Sequence, residues 1–150
     1  MKVVIISGSV YGSAEEVARH AGTILRDSGH QILLNARLTL PELLAFEPQA
    51  LLAVTSTTGM GELPDNLHPL YTQLRDQLPS ALRGLPAGVI ALGDASYGDT
   101  FCAGGEQLRE LLAELGVTEV QDMLRLDASE SVTPETDAEP WLAGFLAHLG

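Results

Sequence analysis

The chain opens Met1-Lys2-Val3-Val4-Ile5-Ile6-Ser7-Gly8-Ser9-Val10-Tyr11-Gly12-Ser13-Ala14-Glu15. The apolar run Val3–Ile6 stops at a cluster of small residues, Ser7, Gly8, Ser9, Gly12, Ser13 and Ala14. A helical stripe of Ala14, Val17, Ala18, Ala21 and Leu25 follows. This order reads as a buried strand, a short Gly/Ser loop and a helix N-terminus. First-turn N–H groups have no helical partners, and the aligned peptide dipoles leave about half a positive charge there, so the segment suits an anion. The same residues also suit a plain βα turn that uses small side chains for tightness.

What the loop lacks narrows the anion. There is no Gly-x-x-x-x-Gly-Lys-Ser/Thr, and Lys2 is the only lysine, which excludes a nucleoside triphosphate loop. Gly8 and Gly12 do not form Gly-x-Gly-x-x-Gly, so a dinucleotide fingerprint is not supported. No arginine or lysine lies between Val3 and Val17. Backbone N–H groups and the hydroxyls of Ser9 and Ser13 would hold the anion, an arrangement suited to a terminal phosphomonoester.

Outward from this segment, five apolar strand candidates alternate with five helical patterns. The strands are Val3–Ile6, Ile32–Leu34, Leu51–Val54, Val89–Leu92 and Val120–Leu126. The first, third and fourth are near-continuous apolar runs, as expected where helices cover both faces of a parallel sheet. The first helix is expected to run to about Ser28 and stop at Gly29, and the second is the short Pro41–Phe46. The third carries Leu67, Leu70, Tyr71, Leu74 and Leu78, with Asp65 placed to cap it. The fourth carries Leu108, Leu111, Leu112 and Leu115 and ends at Gly116. The last carries Trp141, Leu142, Phe145, Leu146 and Leu149, with Pro140 in its first turn. Residues 128–139 read as a surface loop. Strict β-α alternation predicts one doubly wound α/β domain over residues 1–150.

With 150 residues the chain can bury a sizeable core without staples. No apolar run reaches the roughly 18 residues of a membrane span, and no signal peptide pattern opens the chain. One cysteine, Cys102, excludes an internal disulfide and fits a reducing cytoplasm. The four histidines (His20, His30, His68 and His148) show no metal-ligand spacing, and most read as solvated surface residues. The net charge is -12, and ten of the twenty acids lie between Glu106 and Glu139 against two basic residues, Arg109 and Arg125. Such a field repels nucleic acid and anionic membranes and attracts basic protein surfaces. It also keeps a soluble protein dispersed, and composition does not separate the two uses.

Ligands of doubly wound sheets sit beyond the carboxyl ends of the strands. After the third strand comes Thr55-Ser56-Thr57-Thr58-Gly59-Met60-Gly61-Glu62-Leu63-Pro64-Asp65-Asn66. After the fourth comes Gly93-Asp94-Ala95-Ser96-Tyr97-Gly98-Asp99-Thr100-Phe101-Cys102. With the first loop these resemble, in order and over the whole chain, the three flavin-binding loops of the flavodoxins. The resemblance is to the small short-chain members of the YqcA and MioC type, because no insertion of roughly twenty residues interrupts the fifth strand.

The resemblance implies a five-stranded sheet in the order 2-1-3-4-5 and a non-covalently bound FMN. By that analogy Ser9, Val10, Tyr11, Gly12, Ser13 and Ala14 wrap the phosphate, and Tyr97 stacks on the isoalloxazine. Thr57, Thr58, Gly59, Met60 and Gly61 cover the other face and reach the flavin N5. Backbone groups near Gly93, Asp94, Phe101 and Cys102 bind the pyrimidine edge. The sequence departs from the family at three places. Thr58 stands where many members have a second aromatic, leaving Met60 or Leu63 as the substitute. Val10 and Tyr11 replace common threonines, and Gly98 is an extra residue before Asp99 and Thr100. These departures imply somewhat weaker flavin binding than is typical.

The implied function is a low-potential one-electron carrier, a monomer without a catalytic group of its own, because the cofactor carries the chemistry. Its partners would be a basic-surfaced, NADPH-dependent flavodoxin reductase and an acceptor enzyme. Gly59, lacking a Cβ, can turn its peptide so that a carbonyl meets the hydrogen at N5. Carboxylates at Glu62, Asp65, Asp94 and Asp99 disfavour added negative charge on the ring. Two other classes compete. A substrate-reducing flavoenzyme would need a nicotinamide or quinone pocket. A flavin-free regulatory module such as a response-regulator receiver would need an acidic pair where this chain has Ser7 and Gly8.

Overall fold

The computed structural model describes residues 1–9, 12–57, 61–93, 102–127, 130 and 133–149. Its strands are β1 (Lys2–Gly8), β2 (Gln31–Leu34), β3 (Ala50–Thr55), β4 (Pro86–Gly93), β5 (Thr118–Glu119) and β6 (Leu124–Asp127). Its helices are α1 (Ser13–Asp27), α2 (Leu40–Phe46), α3 (His68–Gln77), α4 (Ala103–Leu115), α5 (Pro134–Asp137) and α6 (Glu139–Leu149). The strands form one parallel sheet in the order β2-β1-β3-β4, with β5 and β6 both paired to β4. The five strand positions therefore run 2-1-3-4-5, the doubly wound order that the sequence implies.

The sheet is buried on both faces. Along β1, Val4 and Ile6 face the layer of α2, α3 and α4, while Val3 and Ile5 face α1 and α6. This alternation needs an apolar residue at every position, which is why the central strands read as unbroken hydrophobic runs. All five stripe residues of α1 are fully buried.

Four expectations are corrected. The fifth strand is not continuous over Val120–Leu126. Between the register pairs Ala87↔Glu119 and Ile90↔Leu124 the outer strand takes five residue steps against three on β4, so it bulges by two residues. The bulge is clasped to α6: Gln121 Nε2 donates to the Trp141 carbonyl at 2.7 Å, and Trp141 Nε1 donates to the Asp122 carbonyl at 2.7 Å. Second, Asp65 does not cap α3. The N-cap is Leu67, buried, with its N–H on the Pro64 carbonyl at 3.0 Å. Third, Leu78 is not on the buried stripe. It is the left-handed C-cap at φ 42° and is 47% exposed.

Fourth, the segment 128–139 is not all loop, since Pro134 starts the short α5 and the following Ala138 is fully buried among α1 and α6 residues. Of the histidines, His68 and His148 are exposed, while His20 and His30 are half-buried. His20 Nε2 meets Glu139 Oε1 at 3.1 Å, tying α1 to α6, and Nδ1 of His30 is buried. α2 begins with a capping box that the sequence reading passed over, in which the Glu42 N–H donates to Thr39 Oγ1 and the Thr39 N–H to the Glu42 carboxylate.

Candidate functional site

Three crossovers leave the sheet at the carboxyl ends of β1, β3 and β4, and each begins or ends in residues that hold its neighbour. In the first, Gly12 is the N-cap of α1 in the left-handed conformation, φ 92°, with nothing within 4 Å of where a Cβ would stand. An L side chain there would cost about 1–2 kcal/mol in backbone strain alone. The Gly12 N–H donates to Ser9 Oγ at 2.7 Å, closing the turn. Among the described residues no side chain caps α1, so its first-turn N–H groups remain available to an anion. Ser13 is exposed, whereas the Ala14 side chain is fully buried, which leaves Ala14 only its backbone for binding. The Glu15 carboxylate, in the same turn, is held by Arg19 at 2.9 Å.

Asn66 fastens this turn to the crossover after β3. Its Oδ1 accepts the Ser9 N–H at 3.0 Å, and its Nδ2 donates to the carbonyls of Ser7 at 3.1 Å and Ala36 at 2.7 Å. A cleft of about 580 Å³ opens beside it, walled by Ser9, Arg37, Thr39, Asp65, Asn66 and Gln73.

The second and third crossovers are joined in the same way. Thr57 Oγ1 accepts the Gly104 N–H at 2.9 Å in the first turn of α4, and Gln107 Nε2 donates to the Gly61 carbonyl at 2.7 Å. The approach is close enough that a Cβ on Gly104 would lie 2.7 Å from the Ser56 carbonyl oxygen. Gly93 is the last residue of β4, opposite Asp127. Cys102, the N-cap of α4, is fully buried at φ 57°, and its thiol donates to the Ala91 carbonyl at 3.6 Å. Burial pushes that thiol up to about 11, outweighing the opposing influence of Arg125. It is therefore a neutral thiol turned into the core, and only the backbone of Cys102 is left for a ligand.

Of the residues singled out from the sequence, Ser9, Gly12, Ser13, Ala14, Thr57, Gly61, Gly93 and Cys102 are thus brought to one rim of the sheet. Val10, Tyr11, Thr58, Gly59, Met60, Asp94, Tyr97 and Phe101 lie outside the described residues, as do Gly98, Asp99 and Thr100. The sequence reading gave no role to Asn66, Gly104 or Gln107. The adjacent pair Gly104-Gly105 at a helix start was the available signal, because two glycines weaken a helix unless close packing requires them. Among the described residues no His/Cys/Asp/Glu group could hold a metal ion.

The model of the flavodoxin family matches residues 5–141. This chain belongs to the flavodoxin family. It is 70% identical to an uncharacterised protein of Pseudomonas aeruginosa over 99% of both chains. It is 45% identical to the flavodoxin YqcA of Pectobacterium carotovorum, over 96% of this chain and 94% of that one. Its structure superimposes on a cysteine-to-alanine variant of the flavodoxin from Pseudomonas aeruginosa with a TM-score of 0.94 at 69% identity, covering 98% and 97% of the two chains.

Flavodoxins bind FMN, and the residues present fit that cofactor. An uncapped helix N-terminus preceded by a left-handed glycine and a serine hydroxyl suits a phosphomonoester. The crossovers after β3 and β4 are joined to each other at the same end of the sheet. No helix among the described residues is long and apolar enough to cross a membrane.

Proposed function

We propose that this flavodoxin is a low-potential one-electron carrier. It takes electrons from an NADPH-dependent reductase with a basic docking surface and delivers them to an acceptor enzyme. FMN supplies the one-electron chemistry. The chain binds it non-covalently as a monomeric domain spanning residues 1–150, and a cytoplasmic setting fits its single, neutral thiol.

The observation that supports the reading is the acidity of the chain together with the exposed carboxylates on the segment beyond β3. The chain has a net charge of -12, and Glu62 and Asp65 are exposed on the segment that leaves the second flavin loop, flanking the buried Leu63 and Pro64. Carboxylates close to a group that accepts electrons make further negative charge there less favourable, which lowers the potential. The same carboxylates attract a basic partner. In the acidic 106–139 region the two arginines are already engaged: Arg109 pairs with Glu119 at 2.9 Å and with Glu106 at 3.5 Å, and Arg125 pairs with Glu106. They therefore offer little positive potential to a partner.

In this reading Ser9, Val10, Tyr11, Gly12, Ser13 and Ala14 hold the phosphate. Tyr97 stacks on the ring, Thr57 to Gly61 cover its other face, and Gly93, Asp94, Phe101 and Cys102 line the pyrimidine edge through backbone groups. A redox titration of the FMN-loaded protein, followed by absorbance, tests the function. A carrier shows two separate one-electron steps, the second well below the free cofactor, and negligible NADPH oxidation without a reductase. A single two-electron step with rapid NADPH turnover by the isolated protein would support a substrate-reducing flavoenzyme instead.

A further inference from the structure

We propose that Asn66 is a positioning residue for the FMN phosphate, acting through the β1–α1 turn. The proposal rests on that turn being the phosphate cradle. Asn66 touches three backbone groups from two parts of the chain: the Ser9 N–H, the Ser7 carbonyl and the Ala36 carbonyl. Both amide hydrogens and the amide oxygen are used. The orientation of the side chain is thereby fixed, since a flipped amide would set its NH2 against the Ser9 N–H and its oxygen against two carbonyls.

The consequence passes along the chain by one further bond. With its N–H held by Asn66, Ser9 presents Oγ to the Gly12 N–H at 2.7 Å, and this bond closes the turn onto the N-terminus of α1. Because Ser9 Oγ accepts from Gly12, its own hydroxyl hydrogen is left to donate towards a phosphate oxygen. Asn66 thus determines the orientation of the Ser9 peptide and, through it, the separation between the serine hydroxyl and the helix N–H groups. A cradle assembled before the ligand arrives does not have to be ordered by it, and that difference is expressed as affinity. Aspartate could not do the same work. It would keep the acceptor for Ser9 but turn an oxygen towards two carbonyls, with a negative charge close to the phosphate.

Flavin affinities of wild type, Asn66→Leu and Asn66→Asp, measured with both FMN and riboflavin by quenching of flavin fluorescence, decide the matter. Riboflavin lacks the phosphate, so it separates positioning of the cradle from general loosening of the ring site. Both variants should bind FMN about tenfold more weakly, while riboflavin binding changes less than twofold. Equal weakening for the two flavins, or no weakening for FMN, would overturn the proposal. A wild-type protein that itself binds FMN and riboflavin alike would instead refute the phosphate cradle. Asn66→Ala, which adds neither bulk nor charge, carries the test if Asn66→Leu does not fold, as judged by circular dichroism; Asn66→Asp adds charge repulsion of the phosphate to the loss of positioning.

Discussion

The junction between the second and third crossovers yields a prediction whose size follows from the geometry. In Gly104→Ala the new Cβ would lie 2.7 Å from the Ser56 carbonyl oxygen and 3.1 Å from Thr57 Oγ1. The first contact is with backbone, so no side chain can swing aside, and Ser56 must retreat by roughly half an ångström or more to reach ordinary contact. Overpacking of this kind costs about 1–3 kcal/mol. Losing the Gly104 N–H bond to Thr57 would add about 1 kcal/mol. Against this, alanine favours a helix interior over glycine by about 0.8–1.0 kcal/mol, and only part of that applies in a first turn.

The net expectation is a destabilisation of about 1.5–3.5 kcal/mol, or a fall in Tm of roughly 3–14 °C for a chain of this size. Ser56 and Thr57 lead directly into residues 58–60, so FMN affinity should fall as well. Gly22→Ala is the control. That glycine is also helical, yet its Cβ would meet nothing nearer than Ile5 Cδ1 at 3.6 Å, so the substitution should stabilise by about 0.5–1 kcal/mol. Thermal unfolding and fluorescence titration of both variants measure the difference. A Gly104→Ala protein with unchanged Tm and unchanged FMN affinity would refute the close-approach argument.

Three further outcomes are expected. The Cys102 thiol is raised from 9.0 to about 11 in the fold, so it favours folding below pH 9, and its contribution of about 2–3 kcal/mol is lost as pH rises from 9 through 11. Unfolding free energies from urea titrations across that range should fall by this extra amount in wild type compared with Cys102→Ala, and parallel pH dependences would remove the assignment. Electron transfer from the reduced protein to a basic haem protein should slow several-fold as salt rises from about 0.1 M to 1 M, where the Debye length falls from about 10 Å to 3 Å. A rate indifferent to salt in stopped-flow mixing would mean that the net charge serves only solubility. Tyr97→Ala should weaken FMN binding by about tenfold and Tyr11→Ala by less, because a stacked ring adds roughly 0.5–1.5 kcal/mol beyond its buried area. Equal effects of the two in fluorescence titrations would reverse their assigned places.

The sequence by itself determined the class of fold and the end of the sheet that carries function. Apolar runs such as Leu51–Val54 have no polar face, and only a sheet covered on both sides accommodates them. The αL glycines Gly29 and Gly116 were legible because short-range sterics dictate them where the chain turns at a helix C-terminus. The loops were legible because their residue types and spacing are local properties of the chain.

Tertiary structure alone decided what depends on residues far apart in sequence. The two-residue bulge in the fifth strand is stabilised by Trp141, about twenty positions away, so a local apolar count read it as one strand. Asp65 looked like a cap by position, but burial of Leu67 sets where α3 begins. Asn66 stood in a recognised motif without a role, because its partners Ser7, Ser9 and Ala36 reach it only once β1, β2 and β3 lie side by side. Local sterics and hydrophobic period are encoded residue by residue. Hydrogen bonds and close contacts between crossovers exist only after the sheet has brought them together, and it is those contacts that shape the flavin site.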